Sequence, residues 1–219
     1  MKESGGKVKK EKGLMMKMEI ELQIKKNCEI PNLKPDFSFT DAKLKVYDNE
    51  LFFKNKKYKM YLLDQFPETL EEEEDIKLKI IDNEFCRLKE ENKYIKFLQI
   101  IFKKNSSQAK LFDLGTDFSD IEICLDKINR MDQIDKYIIL NLYKNFFNSN
   151  IYHINDEILF NFFIKGFLRE AISGIIYFDN IDIFISYGYD MVLPIYINSE
   201  EKLIKYKKKA NEFGLFIRR

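Results

Sequence analysis

Several residue types that commonly build active sites or covalent frameworks are scarce in this chain of 219 residues. Tryptophan is absent, histidine occurs once, and the three cysteines lie far apart with no CxxC pair. A single histidine cannot form a multi-histidine metal site, and widely spaced cysteines argue against the disulfide framework of a small secreted protein. None of the eight glycines lies in a phosphate-binding loop of Walker spacing. No metal and no cofactor is therefore predicted.

Long uncharged apolar runs are also missing, so we expect no membrane span. Residues 1–16 carry charge but no apolar stretch, which predicts a flexible basic tail rather than a signal peptide. The net charge is +1; residues 1–17 hold six lysines and two glutamates, so the remaining body carries −3. A nearly neutral body offers no broad positive field for nucleic acid or anionic lipid. Together with the unpaired cysteines, this predicts a cytoplasmic protein.

What the chain does contain is material for a core, because 45% of its residues are apolar and 15% aromatic. The patterns predict an α+β protein with an antiparallel β-rich N-terminal half (17–114). In the C-terminal half (115–219), helices are expected to pack on a meander of strands. No clear linker separates the two halves, so a single continuous domain is an open alternative.

Alternation of apolar and polar residues predicts the strands of the N-terminal half. The last two are expected to pair across residues 105–107. The predicted strands are Met18–Lys25, Ala42–Val46, Leu51–Phe53, Tyr58–Leu63, Ile76–Ile81, Tyr94–Phe102 and Ala109–Leu114.

The C-terminal half centres on residues 155–197, the most apolar part of the chain. Spacings of three and four predict a helix over 156–173, with Asn155 as N-cap and Gly174 as the left-handed terminator. Three strands follow, at 175–178, 181–186 and 191–197, the first two joined by a turn at Asp179 and Asn180. Ser199 should cap a last helix that ends at Gly214.

Two segments before this region are less definite. Ser119 with Glu122 forms a capping-box pattern that predicts a short helix through about Ile128. The run Tyr137–Tyr143 suits either a helix or a central strand, and helix is favoured.

Acidic residues provide the candidate chemistry. Asp36, Asp41 and Lys43 resemble the acidic residue and D/E-x-K of a metal-dependent nuclease, although such tripeptides are frequent in a chain rich in these residues. Asp113, Asp117, Asp120 and Glu122 could hold a cation, but the adjoining helix N-terminus also explains them. Asp179 and Asp182 suit a turn and a solvent-facing position better than a nucleotidyltransferase pair. His153 is expected to be an ordinary loop residue.

Residues 172–217, ISGIIYFDNIDIFISYGYDMVLPIYINSEEKLIKYKKKANEFGLFI, combine a strand meander with a helix and a short strand. This arrangement resembles the C-terminal parts of small bacterial immunity-type proteins from polymorphic toxin loci, and residues 112–143 fit the same likeness. The resemblance implies a cytoplasmic, non-catalytic protein that neutralises a toxin by binding it. It implies no catalytic residues.

The leading hypothesis is therefore a non-enzymatic protein-binding module, an immunity-type inhibitor of a bacterial toxin or effector. Such an inhibitor is expected to present acidic side chains to a basic cleft. The residues predicted to contact the partner are Glu71, Glu72, Glu73, Glu74, Asp75, Asp113, Asp117 and Asp120. Two alternatives stay open: the nuclease with Asp36, Asp41 and Lys43, and a nucleic-acid-binding accessory protein that uses the tail and Lys54–Lys59.

Overall fold

The structure is a computed structural model that describes residues 34–35, 58–68, 84–112, 114–129, 131–145 and 151–219. These ranges contain five helices and eight strands. The helices are α1 (Glu84–Lys104), α2 (Ile121–Ile128), α3 (Gln133–Asn145), α4 (Glu157–Leu168) and α5 (Glu200–Asn211). The strands are β1 (Lys34–Pro35), β2 (Lys59–Asp64), β3 (Ala109–Phe112), β4 (Ile151–Ile154), β5 (Ile175–Phe178), β6 (Ile183–Ser186), β7 (Leu193–Ile197) and β8 (Phe216–Arg218).

All eight strands form one sheet in the order β1-β4-β3-β5-β6-β7-β2-β8, and each neighbouring pair is antiparallel. The prediction of an antiparallel α+β protein is thus confirmed. The predicted meander forms β5, β6 and β7 in sequence order. Strand β2 lies between β7 and β8, so a strand from the first half of the chain pairs with two from the second.

Helix α4 supplies much of the core because it is apolar nearly all round. The ring of Phe160 stacks on Phe102 of α1 with 4.4 Å between centroids, and it meets Phe178 of β5 edge-on at 6.0 Å. Phe163 and Phe167 are also fully buried. The helix therefore ties α1 to the sheet, and its burial confirms the central helix that the spacing of apolar residues predicted.

Both ends of α4 differ by a few residues from the predicted ones. Asp156, rather than Asn155, is the N-cap, and its carboxylate accepts from the backbone N–H of Ile158 at 2.7 Å and of Leu159 at 3.1 Å. The helix ends in a Schellman motif with Glu170 in the left-handed region (φ 52°), where the N–H of Ala171 donates to Gly166. The prediction that Gly174 supplies this residue was wrong, because Glu170 reverses the chain four residues earlier.

The predicted strand Tyr94–Phe102 is wrong, because these residues belong to the 21-residue helix α1. Its buried residues Tyr94, Phe97, Leu98 and Ile101 recur at steps of three and four, and a polar stretch from Glu84 extends the helix at its N-terminus. The 105–107 turn follows α1, with Ser106 and Ser107 left-handed, and leads into β3. Strand β3 pairs with β4 and β5 instead.

Smaller differences concern caps and turns. Asp120, not Ser119, caps α2, so the capping-box assignment was one residue early. The run Tyr137–Tyr143 is helical within α3, as favoured. The turn between β5 and β6 spans residues 179–182 rather than two residues, and Asp182 takes the left-handed conformation (φ 54°). Ser199 does cap α5, and Gly214 follows it with φ 69°.

Strands β2 and β3 confirm two of the strands predicted for the N-terminal half. Several predictions lie outside the described residues: the tail 1–16 and the strands Met18–Lys25, Ala42–Val46, Leu51–Phe53 and Ile76–Ile81.

Candidate functional site

Two of the eight acidic residues predicted to contact a partner, Asp117 and Asp120, lie within the described part of the chain. The other six, at 71–75 and 113, lie outside it, as do Asp36, Asp41 and Lys43 of the nuclease alternative. The site can therefore be built around the segment that carries Asp117 and Asp120.

The carboxylates of Asp117 and Asp120 organise their own segment and remain exposed. Asp117 accepts from the Ser119 hydroxyl at 2.6 Å and from the Ser119 backbone N–H at 2.9 Å. These bonds favour the ionised form and lower the pKa of Asp117. Asp120 accepts from the N–H of Glu122 at 2.8 Å and of Ile123 at 3.4 Å, which caps α2. The helix N-terminus thus accounts for both residues without a metal ion.

The segment that bears these two aspartates is strongly acidic. Residues 114–129 include four carboxylates and one lysine, a net charge of −3. All four carboxylate residues are exposed: Asp117, Asp120, Glu122 and Asp126. The lysine, Lys127, is only 20% exposed and pairs with Asp126 at 3.4 Å. The surface offered to solvent is therefore predominantly negative.

A cavity of about 360 Å³ opens beside the acidic segment. Its lining includes apolar residues, hydroxyl-bearing and charged residues, and two tyrosines. The lining residues are Gly115, Thr116, Ile123, Lys127, Glu170, Ala171, Ile172, Ser173, Tyr187 and Tyr189. The volume lies within the range of small-ligand sites and is also ample for one long side chain of a partner.

Tyr187 and Tyr189 are the exposed aromatics of this site. Their side chains are 38% and 66% exposed, and their rings meet edge to face with centroids 6.2 Å apart. They leave the sheet at the end of β6, where the Tyr187 N–H donates to the Gly174 carbonyl at 3.1 Å. Gly188 between them fits because a Cβ there would lie 1.9 Å from the Val192 carbonyl oxygen. The turn therefore presents the two rings together beyond the end of β6.

The loops around the cavity hold several non-glycine residues in the left-handed region. Glu170 and Asp190 have φ 52°, and the buried Met191 has φ 60°. The Glu170 carboxylate accepts from the Asp190 N–H at 3.0 Å and so joins the two loops. Such conformations cost energy and persist where the surroundings determine them, which is a frequent property of functional sites.

Sequence reasoning missed both tyrosines and Glu170. The segment YGYD was interpreted only as the turn before the third strand, and Glu170 as the interior of a longer helix. Two aromatics flanking a glycine in a turn were the available signal, because a turn exposes side chains that a strand would bury. Their approach to residues 115 and 116 depends on the β3–β5 pairing, which no local pattern indicates.

Cys124 is a buried residue of the acidic segment and is not a candidate nucleophile. Its thiol is buried and donates to the Phe118 carbonyl at 3.3 Å. Burial, with smaller contributions from Asp120 and Asp117, raises the pKa of Cys124 to about 12. At neutral pH the group is therefore a thiol rather than a thiolate.

Asp179 and Asp182 lie in the turn, as predicted, but Asp182 is half-buried rather than solvent-facing. Asp182 accepts hydrogen bonds from the hydroxyls of Tyr58 and Tyr177 and from the Asn198 amide. Asp179 accepts from Asn105 at 3.1 Å and pairs with Lys110 at 3.3 Å. Burial opposes the charge of Asp179, but these two partners outweigh it and lower its pKa. The two carboxylates hold neighbouring elements to the turn instead of converging on a shared site.

A separate group of charges is buried among α1, α3 and α4. Arg169 donates to both carboxylate oxygens of Glu91, at 2.7 and 2.8 Å, and both side chains are 3% exposed. Arg169 also pairs with Asp132 at 3.1 Å, and Lys165 bridges Asp132 and the buried Asp135 at 3.2 and 2.9 Å. Burial raises the pKa of Asp135. These groups are committed to one another and tie the helices together.

The described parts of the nucleic-acid alternative show little that could stack with bases. Within Lys205–Lys209, Tyr206 is 2% exposed. Tyr61 is 3% exposed, and the ring of Tyr58 packs edge-on against Phe184 at 5.0 Å. Base stacking needs an accessible aromatic face, and the buried Tyr61 and Tyr206 do not provide one.

His153 lies in β4 rather than in a loop, so its expected placement was wrong. It is paired in register with Lys34 of β1 and Lys110 of β3. Among the described residues, no three His, Cys, Asp or Glu side chains are grouped so that they could hold a metal ion.

Comparisons with protein-family models, with curated proteins and with solved structures give no match. Within the described ranges, no helix combines the length and the apolar character needed to cross a membrane.

Proposed function

We propose that this protein is a non-catalytic protein-binding module, an immunity-type inhibitor of a toxin or another effector protein. The observation that carries the proposal is the exposed tyrosine pair Tyr187 and Tyr189, which lines a cavity together with residues of the acidic 114–129 segment. We call this combination the tyrosine–acid surface. The sequence resemblance to immunity-type proteins points to the same function.

The chemistry of the tyrosine–acid surface suits a protein partner. Tyrosine contributes a large contact area with few rotatable bonds and is enriched among the residues that dominate binding energy. Exposed carboxylates attract a positively charged partner and accelerate its association. The two loops of the surface are joined by the bond between Glu170 and Asp190, so little ordering is required on binding.

A toxin that acts on nucleic acid provides the partner chemistry that this surface fits. Such an enzyme binds phosphates through lysines and arginines. An acidic surface with protruding aromatic rings could cover that cleft and exclude the substrate.

The test begins with recovery of a stoichiometric partner from the native host and its purification. Binding of that partner is then measured for the wild type and for Tyr189→Ala. We expect at least about 30-fold weaker binding from Tyr189→Ala, the effect of losing a dominant contact. The control is Ile204→Ala, which removes an apolar side chain of similar exposure (62%) from α5. Equal affinity of wild type and Tyr189→Ala for the purified partner would refute the proposal.

Electrostatic attraction gives a second readout. Replacing Glu122 and Asp126 by Gln and Asn should slow association and weaken its salt dependence, while dissociation changes little. The matched control changes Glu200 and Glu201, two exposed carboxylates on α5, to Gln. The same experiment with Glu71 to Glu74 changed to Gln tests the acidic run predicted from sequence.

The nuclease alternative predicts a different result. Purified protein would cleave DNA or RNA with Mg²⁺ or Mn²⁺, and Asp41→Asn would abolish that cleavage. Cleavage with this dependence would refute the inhibitor proposal, whatever the behaviour of Tyr189→Ala.

A further inference from the structure

The cavity of the tyrosine–acid surface combines three features that favour one type of side chain. Its lining includes the apolar residues Ile123, Ala171 and Ile172, the acidic residue Glu170, and the two tyrosines Tyr187 and Tyr189. An apolar lining suits a methylene chain, a carboxylate suits a planar donor, and an aromatic ring suits a delocalised cation. Arginine is the side chain that carries all three complementary properties.

The charge around the cavity also selects a cation. Besides the −3 of residues 114–129, the exposed Glu170 and Asp190 add two carboxylates at the rim. Lys127 lines the same cavity, but its ammonium is paired with Asp126. The segments beside the cavity thus carry five more negative than positive charges, which disfavours an anionic ligand and attracts a guanidinium.

The Glu170 carboxylate can serve such a ligand while it holds the loop. One of its oxygens, Oε1, accepts from the Asp190 N–H at 3.0 Å. A carboxylate has about four lone-pair positions and can accept several donors at once. Hydroxyls of Thr116 and Ser173 provide further acceptors in the same cavity.

We propose that this cavity receives an arginine side chain of the partner, with the guanidinium between Glu170 and the rings of Tyr187 and Tyr189. This inference rests on the proposed function, because it names the contact through which the tyrosine–acid surface recognises a basic protein. A single anchored arginine would also fix the orientation of the partner.

The first experiment uses the full chain and a small probe in place of the partner. N-acetylarginine amide is titrated into labelled protein, and amide shifts are followed by NMR. We expect saturable shifts at Gly115, Thr116, Ser173 and Gly188. The isosteric but neutral N-acetylcitrulline amide should bind with at least about tenfold lower affinity, since it lacks the charge that strengthens the hydrogen bonds. Equal binding of both probes, shifts elsewhere, or no saturable shift up to the solubility limit would overturn the inference.

Variants then assign the contacts. Glu170→Gln should weaken arginine binding by about tenfold and Tyr189→Ala by about threefold, as expected for a charge-assisted bond and an exposed cation–π contact. Glu201→Gln, an exposed carboxylate on α5, is the matched control and should leave binding unchanged. Unchanged probe affinity in Glu170→Gln, in a protein that melts like the wild type, would overturn the assignment.

The probe and the partner distinguish this inference from the proposed function. If Tyr189→Ala loses the purified partner but the arginine probe does not bind, the docking surface stands and the arginine pocket fails. If the probe binds as expected but Tyr189→Ala binds the partner with unchanged affinity, the surface does not bind that partner. The inference then fails together with the proposed function.

Discussion

Arg169 and Glu170 are neighbours in the chain, yet they belong to regions in which charge is used in opposite ways. Arg169 is 3% exposed and is surrounded by carboxylates of α1 and α3. Glu170 turns outward in a left-handed conformation and lines an open cavity beside two tyrosines. In the first region every cation has a fixed carboxylate partner, whereas the second has an excess of exposed carboxylates. The first arrangement holds helices together, and the second belongs to the surface that we propose binds a partner.

The largest expected effect is that of removing the buried cation. Arg169→Ala leaves the Glu91 carboxylate buried without its bidentate partner and should cost about 3–5 kcal/mol of stability. Chemical denaturation followed by circular dichroism measures the loss. The double variant Glu91→Leu with Arg169→Met should recover most of it, because a buried ion pair can be replaced by apolar residues. If Arg169→Ala lowers the free energy of unfolding by less than about 1 kcal/mol, the buried charges do not stabilise the fold as the comparison of the two regions requires.

A smaller effect with a pH signature is expected at Asp132, which is 45% exposed. Burial acts to raise the pKa of Asp132, but the hydrogen bond and charge of Arg169 outweigh it, so the pKa is lowered. A carboxyl whose pKa is lowered by folding stabilises the fold at any pH above its pKa in the unfolded chain. This stabilisation is lost as the pH falls through the pKa of the folded protein. Asp132→Asn should therefore cost about 1 kcal/mol at pH 7, and its difference from the wild type should shrink below about pH 4.

The control for this profile is Asp126→Asn, which changes an exposed carboxylate of the acidic segment that pairs with Lys127 at 3.4 Å. Its stability difference from the wild type should stay small throughout the pH range. A difference at Asp132 that does not change with pH would show that its ionisation contributes nothing.

The smallest effect on stability is expected at the tyrosine–acid surface. Tyr189 is 66% exposed, so Tyr189→Ala should change the free energy of unfolding by no more than about 0.5 kcal/mol. The same variant is expected to lose the partner. A loss above about 2 kcal/mol would mean that the ring supports the fold, and the comparison of the two regions would need to be redrawn.

Local signals in the sequence were enough to predict the elements whose ends and faces are set by neighbouring residues. Ser199 and Gly214 bound α5, and apolar spacing located α4 and the meander. The 94–102 segment was misassigned because a short apolar run suits strand and helix alike, and the polar extension from Glu84 decides between them.

The candidate site was less accessible from sequence because it is assembled from distant segments. Two acidic residues of the site, Asp117 and Asp120, were predicted from their density alone. The wall formed by Ser173 and the tyrosines meets Gly115 only because β3 pairs with β5. The bond between Glu91 and Arg169 spans 78 positions, and no periodicity encodes such a distance.

The insertion of β2 between β7 and β8 has a consequence for the time at which the protein can fold. The Asp64 carboxylate, 3% exposed, is bound by Arg218, which lies 154 residues later. At ordinary rates of synthesis the ribosome needs roughly 8 to 30 s to add those residues. For most of that interval, until Ile197 at the end of β7 has been added, β2 has neither of its strand neighbours, and its apolar residues Tyr61 and Leu63 have no sheet to join. The nascent chain is thus exposed to misassociation until β7 has been made, and the Asp64 carboxylate lacks its Arg218 partner until β8 follows.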